Sequence, residues 1–129
     1  MIPWNSDAGV AGVGLLPVRS DRMAPTLHSG KDAVLYIPIH RFAYDALYVL
    51  DEGDQDLVIW RCGRSAGGVR LISDNKAYGS HEVSDQEFGR LVRGLVVAEL
   101  KSSIGHVDWP ERQPDYSTEV HRQLLDEAA

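Results

Sequence analysis

A succession of short apolar runs rich in β-formers, most of them closed by glycine or aspartate, punctuates this chain. The clearest pair is Ala46-Leu47-Tyr48-Val49-Leu50 and Leu57-Val58-Ile59-Trp60-Arg61-Cys62, separated by Asp51-Glu52-Gly53-Asp54-Gln55-Asp56. A polar turn with a central glycine between two such runs predicts a hairpin. Further strands are expected over 13–19, 33–39, 69–73 and 95–100, with Pro38 placing the second of these at an edge or bend. Ser84-x-x-Glu87 has capping-box spacing and is followed by Phe88, Leu91 and Val92, so a helical turn or two is expected there, weakened by Gly89. Val120, Leu124 and Ala128 recur at helical spacing and predict a short C-terminal helix over 117–129. The expectation is a mainly β domain with a helical appendage.

At 129 residues the chain has room for one ordinary domain. We divide it into an N-terminal arm (1–12), a β domain (13–104) and an acidic linker with the C-terminal helix (105–129). With 43% apolar and 25% charged residues, its composition is that of a globular protein. The single cysteine, Cys62, excludes an intrachain disulfide and a cysteine-paired zinc site, and it reads as a small buried apolar residue. His28, His40, His81, His106 and His121 show no pair at metal-ligand spacing, so no metal or cofactor is expected. The net charge of −6 argues against direct nucleic-acid binding. The longest apolar stretch, 9–18, is too short and too glycine-rich for a membrane span and lacks the basic flank of a secretory signal. A cytoplasmic protein that does not engage membranes is expected. Trp109 and Tyr116, in the acidic tail, read equally as anchors for a partner and as pins holding the tail to its own domain.

Three segments carry a resemblance, in order. The first is Ser20-Asp21-Arg22-Met23-Ala24-Pro25-Thr26-Leu27-His28-Ser29-Gly30. The second is Asp45-Ala46-Leu47-Tyr48-Val49-Leu50 followed by Leu57-Val58-Ile59-Trp60-Arg61. The third is Leu71-Ile72-Ser73-Asp74-Asn75-Lys76-Ala77-Tyr78. Together they resemble the C-terminal domain of LexA-like and bacteriophage repressors, a family of self-cleaving serine-lysine peptidases that shares its fold with signal peptidase I. The resemblance implies a β-ribbon domain of several short coiled sheets. It assigns structural places to Met23, Pro25, Thr26, Leu27, Gly30, Arg61, Ser73, Asp74, Asn75 and Tyr78.

The two residues that carry the family's chemistry are absent. Arg22 stands where the resemblance puts the nucleophilic serine, and Trp60 where it puts the general-base lysine. A serine attacks only when a neighbouring base takes its proton. Arginine is always protonated and offers no nucleophilic oxygen, and the indole N–H only donates. No catalytic residue is therefore assigned. Arg22 and Trp60 could stack, guanidinium on indole, or Trp60 could sit in the core with Arg22 in solvent; both arrangements are open at this stage. Ser20 is a weak candidate for a displaced nucleophile, and Ser73-Asp74-Asn75 reads as a turn. The dipeptides Ala8-Gly9 and Ala11-Gly12 lie too near Arg22 to loop back as scissile bonds. With only a short arm before the first strand, no DNA-reading helix-turn-helix is expected here.

The resemblance thus implies a degenerate peptidase acting in dimerisation, or in protein–protein regulation of a phage-type or SOS-response repressor. It implies an interface near the last strand, with Leu95 and Val97, joined by Val120 and Leu124 of the C-terminal helix. An exposed apolar strand edge pairs readily with a copy of itself. Two alternatives remain at this stage. One is a serine peptidase with a different residue set, and the other is a stand-alone adaptor or antirepressor that binds a full-length LexA-like or phage repressor.

Overall fold

The computed structural model describes residues 12–54 and 56–114. Its strands are β1 (Gly14–Pro17), β2 (Ala33–Pro38), β3 (Ala46–Asp51), β4 (Leu57–Ser65), β5 (Gly68–Ile72), β6 (His81–Val83) and β7 (Val92–Leu100). Among the described residues one helix, α1 (Asp85–Leu91), precedes β7, and one 3-10 turn (Asp21–Met23) follows β1. All neighbours pair antiparallel, in the order β1-β2-β7-β3-β4-β5-β6. The protein is mainly β, as its punctuated apolar runs require. The strands join in one hydrogen-bonded order, where several short sheets were expected. Two bulges on β7, at Val97 opposite Leu35/Tyr36 and at Arg93 opposite Val49/Leu50, interrupt the ladders and bend the strand locally.

The expected hairpin is β3–β4, paired from Asp51↔Leu57 to Ala46↔Cys62. Its strands show no polar alternation because β3 is buried on both faces. Leu47 and Val49 pack in one cluster with Leu16, Val18, Met23, Leu27 and Ile59, while Tyr48 and Leu50 pack in another with Trp60, Cys62, Phe88 and Leu95. Cys62 is buried, and burial pushes its thiol far above the ordinary range. The N-cap half of the box forms: Ser84 Oγ accepts from the Glu87 amide at 3.0 Å, while the Glu87 carboxylate accepts from Arg90 and Phe88 drops into the second cluster. Two glycines flank the Tyr36 ring. A Cβ on Gly14 would lie 2.4 Å from its Cζ, and one on Gly94 2.2 Å from its Cδ2, so neither position admits a side chain without repacking.

Three sequence readings need correction. Pro38 is not on an edge strand: it ends β2, an interior strand, past the last β1 pairing at Tyr36, where a missing N–H disturbs no β1 bond. β6 was not foreseen. The last strand starts at Val92 and is no sheet edge, lying between β2 and β3. Its ladder with β3 stops at Leu95, leaving one side of 96–100 unpaired among the described residues. The expected helix over 117–129 lies outside the described residues. The stretch expected to be a linker, 105–114, crosses the domain and bridges β1 at Leu15↔Arg112.

Candidate functional site

The site begins at the end of β1. Ser20 caps the 3-10 turn, its Oγ accepting from the Arg22 amide at 3.0 Å. Met23 is buried in the core and fixes the turn from below, so the neighbouring Arg22 side chain projects outward. The Ser73-Asp74-Asn75 segment grips the turn from the other side. The Asn75 amide donates to the Arg22 carbonyl at 2.9 Å, and Asn75 Nδ2 donates to the Asp21 carbonyl at 3.0 Å. The Tyr78 hydroxyl donates to the Asp21 carboxylate, which holds the phenol above its usual range. Of the trio, Asn75 opens a turn, its Oδ1 accepting from the Ala77 amide and its carbonyl from the Tyr78 amide, while Ser73 and Asp74 accept from other elements.

These contacts set the guanidinium of Arg22 between two rings. It lies 4.5 Å from the Trp60 centroid and 4.8 Å from that of Tyr78, and its Nη1 donates to Ser73 Oγ at 3.3 Å. Both arrangements left open by the sequence are partly realised. Trp60 is 3% exposed and belongs to the core, yet one face of its indole receives the cation. Its Nε1–H donates to Glu52 across the hairpin at 2.6 Å, and the His81 ring meets it edge-on at 5.3 Å. Glu52 and His81 were not singled out from the sequence. Strand pairing brings both to Trp60, and no local motif marks them.

Beside the stack is a second arginine, bound differently. Arg61 follows Trp60 on β4 and forks onto Asp74, with Nε at 2.7 Å and Nη2 at 2.8 Å, while the Thr26 hydroxyl donates to the same carboxylate at 2.5 Å. The Arg61 bonds hold the Asp74 carboxyl below the usual carboxylate range despite partial burial, and Thr26 adds to the effect. Thr26, Arg61, Ser73, Asp74, Asn75 and Tyr78, all assigned structural places by the resemblance, are thus drawn together around the first motif. Leu27 is fully buried, and the Ala24–Pro25 peptide is cis. Gly30 takes φ +77 at the turn into β2, where its amide donates to the Val18 carbonyl.

A cleft of about 280 Å³ opens beside the stack, lined by residues 16–20, Arg22, Met23, Glu52 and 56–59. The hydroxyls nearest Arg22 are Ser20 and Ser73, and both accept hydrogen bonds from Arg22 itself. Among the described residues neither hydroxyl is hydrogen-bonded to a lysine or a histidine. Among the described residues no group of three or more His, Cys, Asp or Glu is placed to hold a metal ion, and no helix is long and apolar enough to cross a membrane.

The expected interface residues separate. Leu95 is 1% exposed inside the core and cannot meet a partner, whereas Val97 is 51% exposed on the half-open part of β7. Val120 and Leu124 lie outside the described residues, as does Tyr116. Trp109 pins its segment to the domain, its Nε1–H donating to the Lys31 carbonyl at 2.7 Å. Neither a family model nor a curated protein matches the chain.

Proposed function

We propose that this chain is a non-catalytic domain of the LexA-like type, working in the cytoplasm by protein–protein association in the control of a phage-type or stress-response repressor. One observation carries the reading. At the two positions that the resemblance assigns to serine and lysine, a guanidinium stacks on an indole at 4.5 Å. Neither group can perform the dyad's chemistry: the arginine stays protonated, and the indole N–H is spent on Glu52. The surrounding turn, with its Arg61–Asp74–Thr26 support, holds the stack in place. What is left to such a domain is association, and the half-open part of β7 with exposed Val97 suits a second copy or a related repressor.

Intact-mass measurement after long incubation at alkaline pH tests the chemistry. An unchanged mass is expected, and a discrete pair of internal fragments would overturn the reading. Sedimentation tests the association. A homodimer that dissociates on Val97→Glu is expected, and a strict monomer up to about 100 μM would count against it.

A further inference from the structure

The two ends of the sheet are protected in different ways. β6, at one end, is three residues long and carries His81 and Glu82, and short charged strands resist pairing with another chain. β1, at the other end, is uncharged from Val13 to Val18. Its residues 14–17 pair with β2 on one side, and on the other the segment 106–112 lies over it. That segment is held mainly by polar contacts. The Val107 amide donates to the Gly30 carbonyl at 3.0 Å, Trp109 Nε1 donates to the Lys31 carbonyl, and Glu111 meets Arg19 at 2.6 Å. At Leu15 the strap makes a full antiparallel bridge, with Leu15 N to Arg112 O at 2.7 Å and Arg112 N to Leu15 O at 2.8 Å. No side chain from 106 to 112 is buried.

We propose that 106–112 is a releasable cap, and that the edge it covers is a pairing surface for a second copy of this chain. Val13, Leu15 and Pro17 share the outward side of β1, because strand hydrogen bonding alternates and Leu15 faces Arg112. A twofold pairing of β1 with β1 centred on Leu15 repeats the two-bond exchange now made with Arg112. It adds a bond from each Val13 amide to the other copy's Pro17 carbonyl. It sets no like charges opposite each other, which an antiparallel self-pairing otherwise risks. Pro17 lacks an N–H and ends the ladder there, so the pairing is short and the cap competes with it effectively. This surface is distinct from the half-open part of β7, so the two associations can be tested separately.

The test uses the full chain in a Val97→Glu background, which removes any association through β7. Adding Trp109→Ala and Arg112→Pro releases the strap. Sedimentation should then show a dimer forming at a concentration at least tenfold lower than in the parent. The Leu15 amide, slow to exchange in the parent, should exchange rapidly in dilute samples of the variant and slow again as concentration rises. Adding Leu15→Pro, which removes the outward donor, should abolish the new dimer. Should the double variant fail to fold, Glu111→Lys opposes Arg19 without touching the backbone and should shift association in the same direction by a smaller factor. An unchanged sedimentation profile in a folded strap variant would overturn the proposal, as would a new dimer indifferent to Leu15→Pro.

Discussion

Arg22 and Arg61 donate to neighbouring residues, Ser73 and Asp74, yet the protein holds them by different physics. Arg61 forks onto Asp74 with two charge-assisted hydrogen bonds, a geometry that the planar guanidinium matches and that leaves a partly buried carboxylate satisfied. Arg22 meets two ring faces and one hydroxyl. The Arg61 pair belongs to the scaffold that the resemblance leads one to expect. The Arg22 stack occupies the place where that resemblance expects chemistry. The contrast separates a charge-paired support from a stacked centre within one site. The scaffold depends on an ion pair sensitive to the loss of either member, while the centre needs only a flat cation and a flat ring.

The largest expected effect tests whether the centre is built into the core. Trp60→Ala should destabilise the fold by about 3–5 kcal/mol, because the indole is buried and its removal leaves a cavity. Chemical denaturation monitored by circular dichroism measures it. A loss below 1 kcal/mol would place the indole outside the packed interior.

Next comes the ion pair. Asp74→Ala should cost about 2 kcal/mol by leaving Arg61 and Thr26 without their acceptor. This effect carries a pH signature. The folded-state pKa of Asp74 is lowered, so its contribution is present above the unfolded carboxylate value, near pH 4, and is lost as pH falls through the folded value. The difference between wild type and Asp74→Ala should therefore shrink on acidification below about pH 4. A difference that stays constant there would show that the carboxylate is not ionised in the pair.

Arg22→Ala should have a smaller effect, about 1 kcal/mol, as expected for a partly exposed cation–π contact. Its decrement should persist in acid, where that of Asp74→Ala fades. Equal acid sensitivity in both variants would break the distinction between the two arginines.

Which parts of this were legible in the sequence follows from how local the information is. The β3–β4 hairpin was legible because Gly53 and its acidic neighbours mark the turn, and α1 because Ser84 and Glu87 mark its cap. β6 was not, because His81-Glu82-Val83 is short and shows no apolar pattern. The place of β7 was not, because its apolar run fits an edge and an interior strand alike; the order β2-β7-β3 is set by pairings distant in sequence. In the site, Arg22 and Trp60 were picked out by the motifs around them. Glu52 and His81 reach Trp60 across strands, and nothing in their own neighbourhoods marks them. The strap over β1 was hidden for a related reason. Two prolines and scattered charges over 105–114 read as a linker, and the backbone bridge to Leu15 leaves no trace in side-chain pattern.

Arg22 and Trp60 hold each other. A double-mutant cycle on Arg22→Ala and Trp60→Leu, read by chemical denaturation at neutral pH, tests it most directly. The two losses should fall short of additivity by about 1 kcal/mol, the coupling of a stacked cation and ring. Strictly additive losses would mean that Arg22 gains nothing from the indole beneath it.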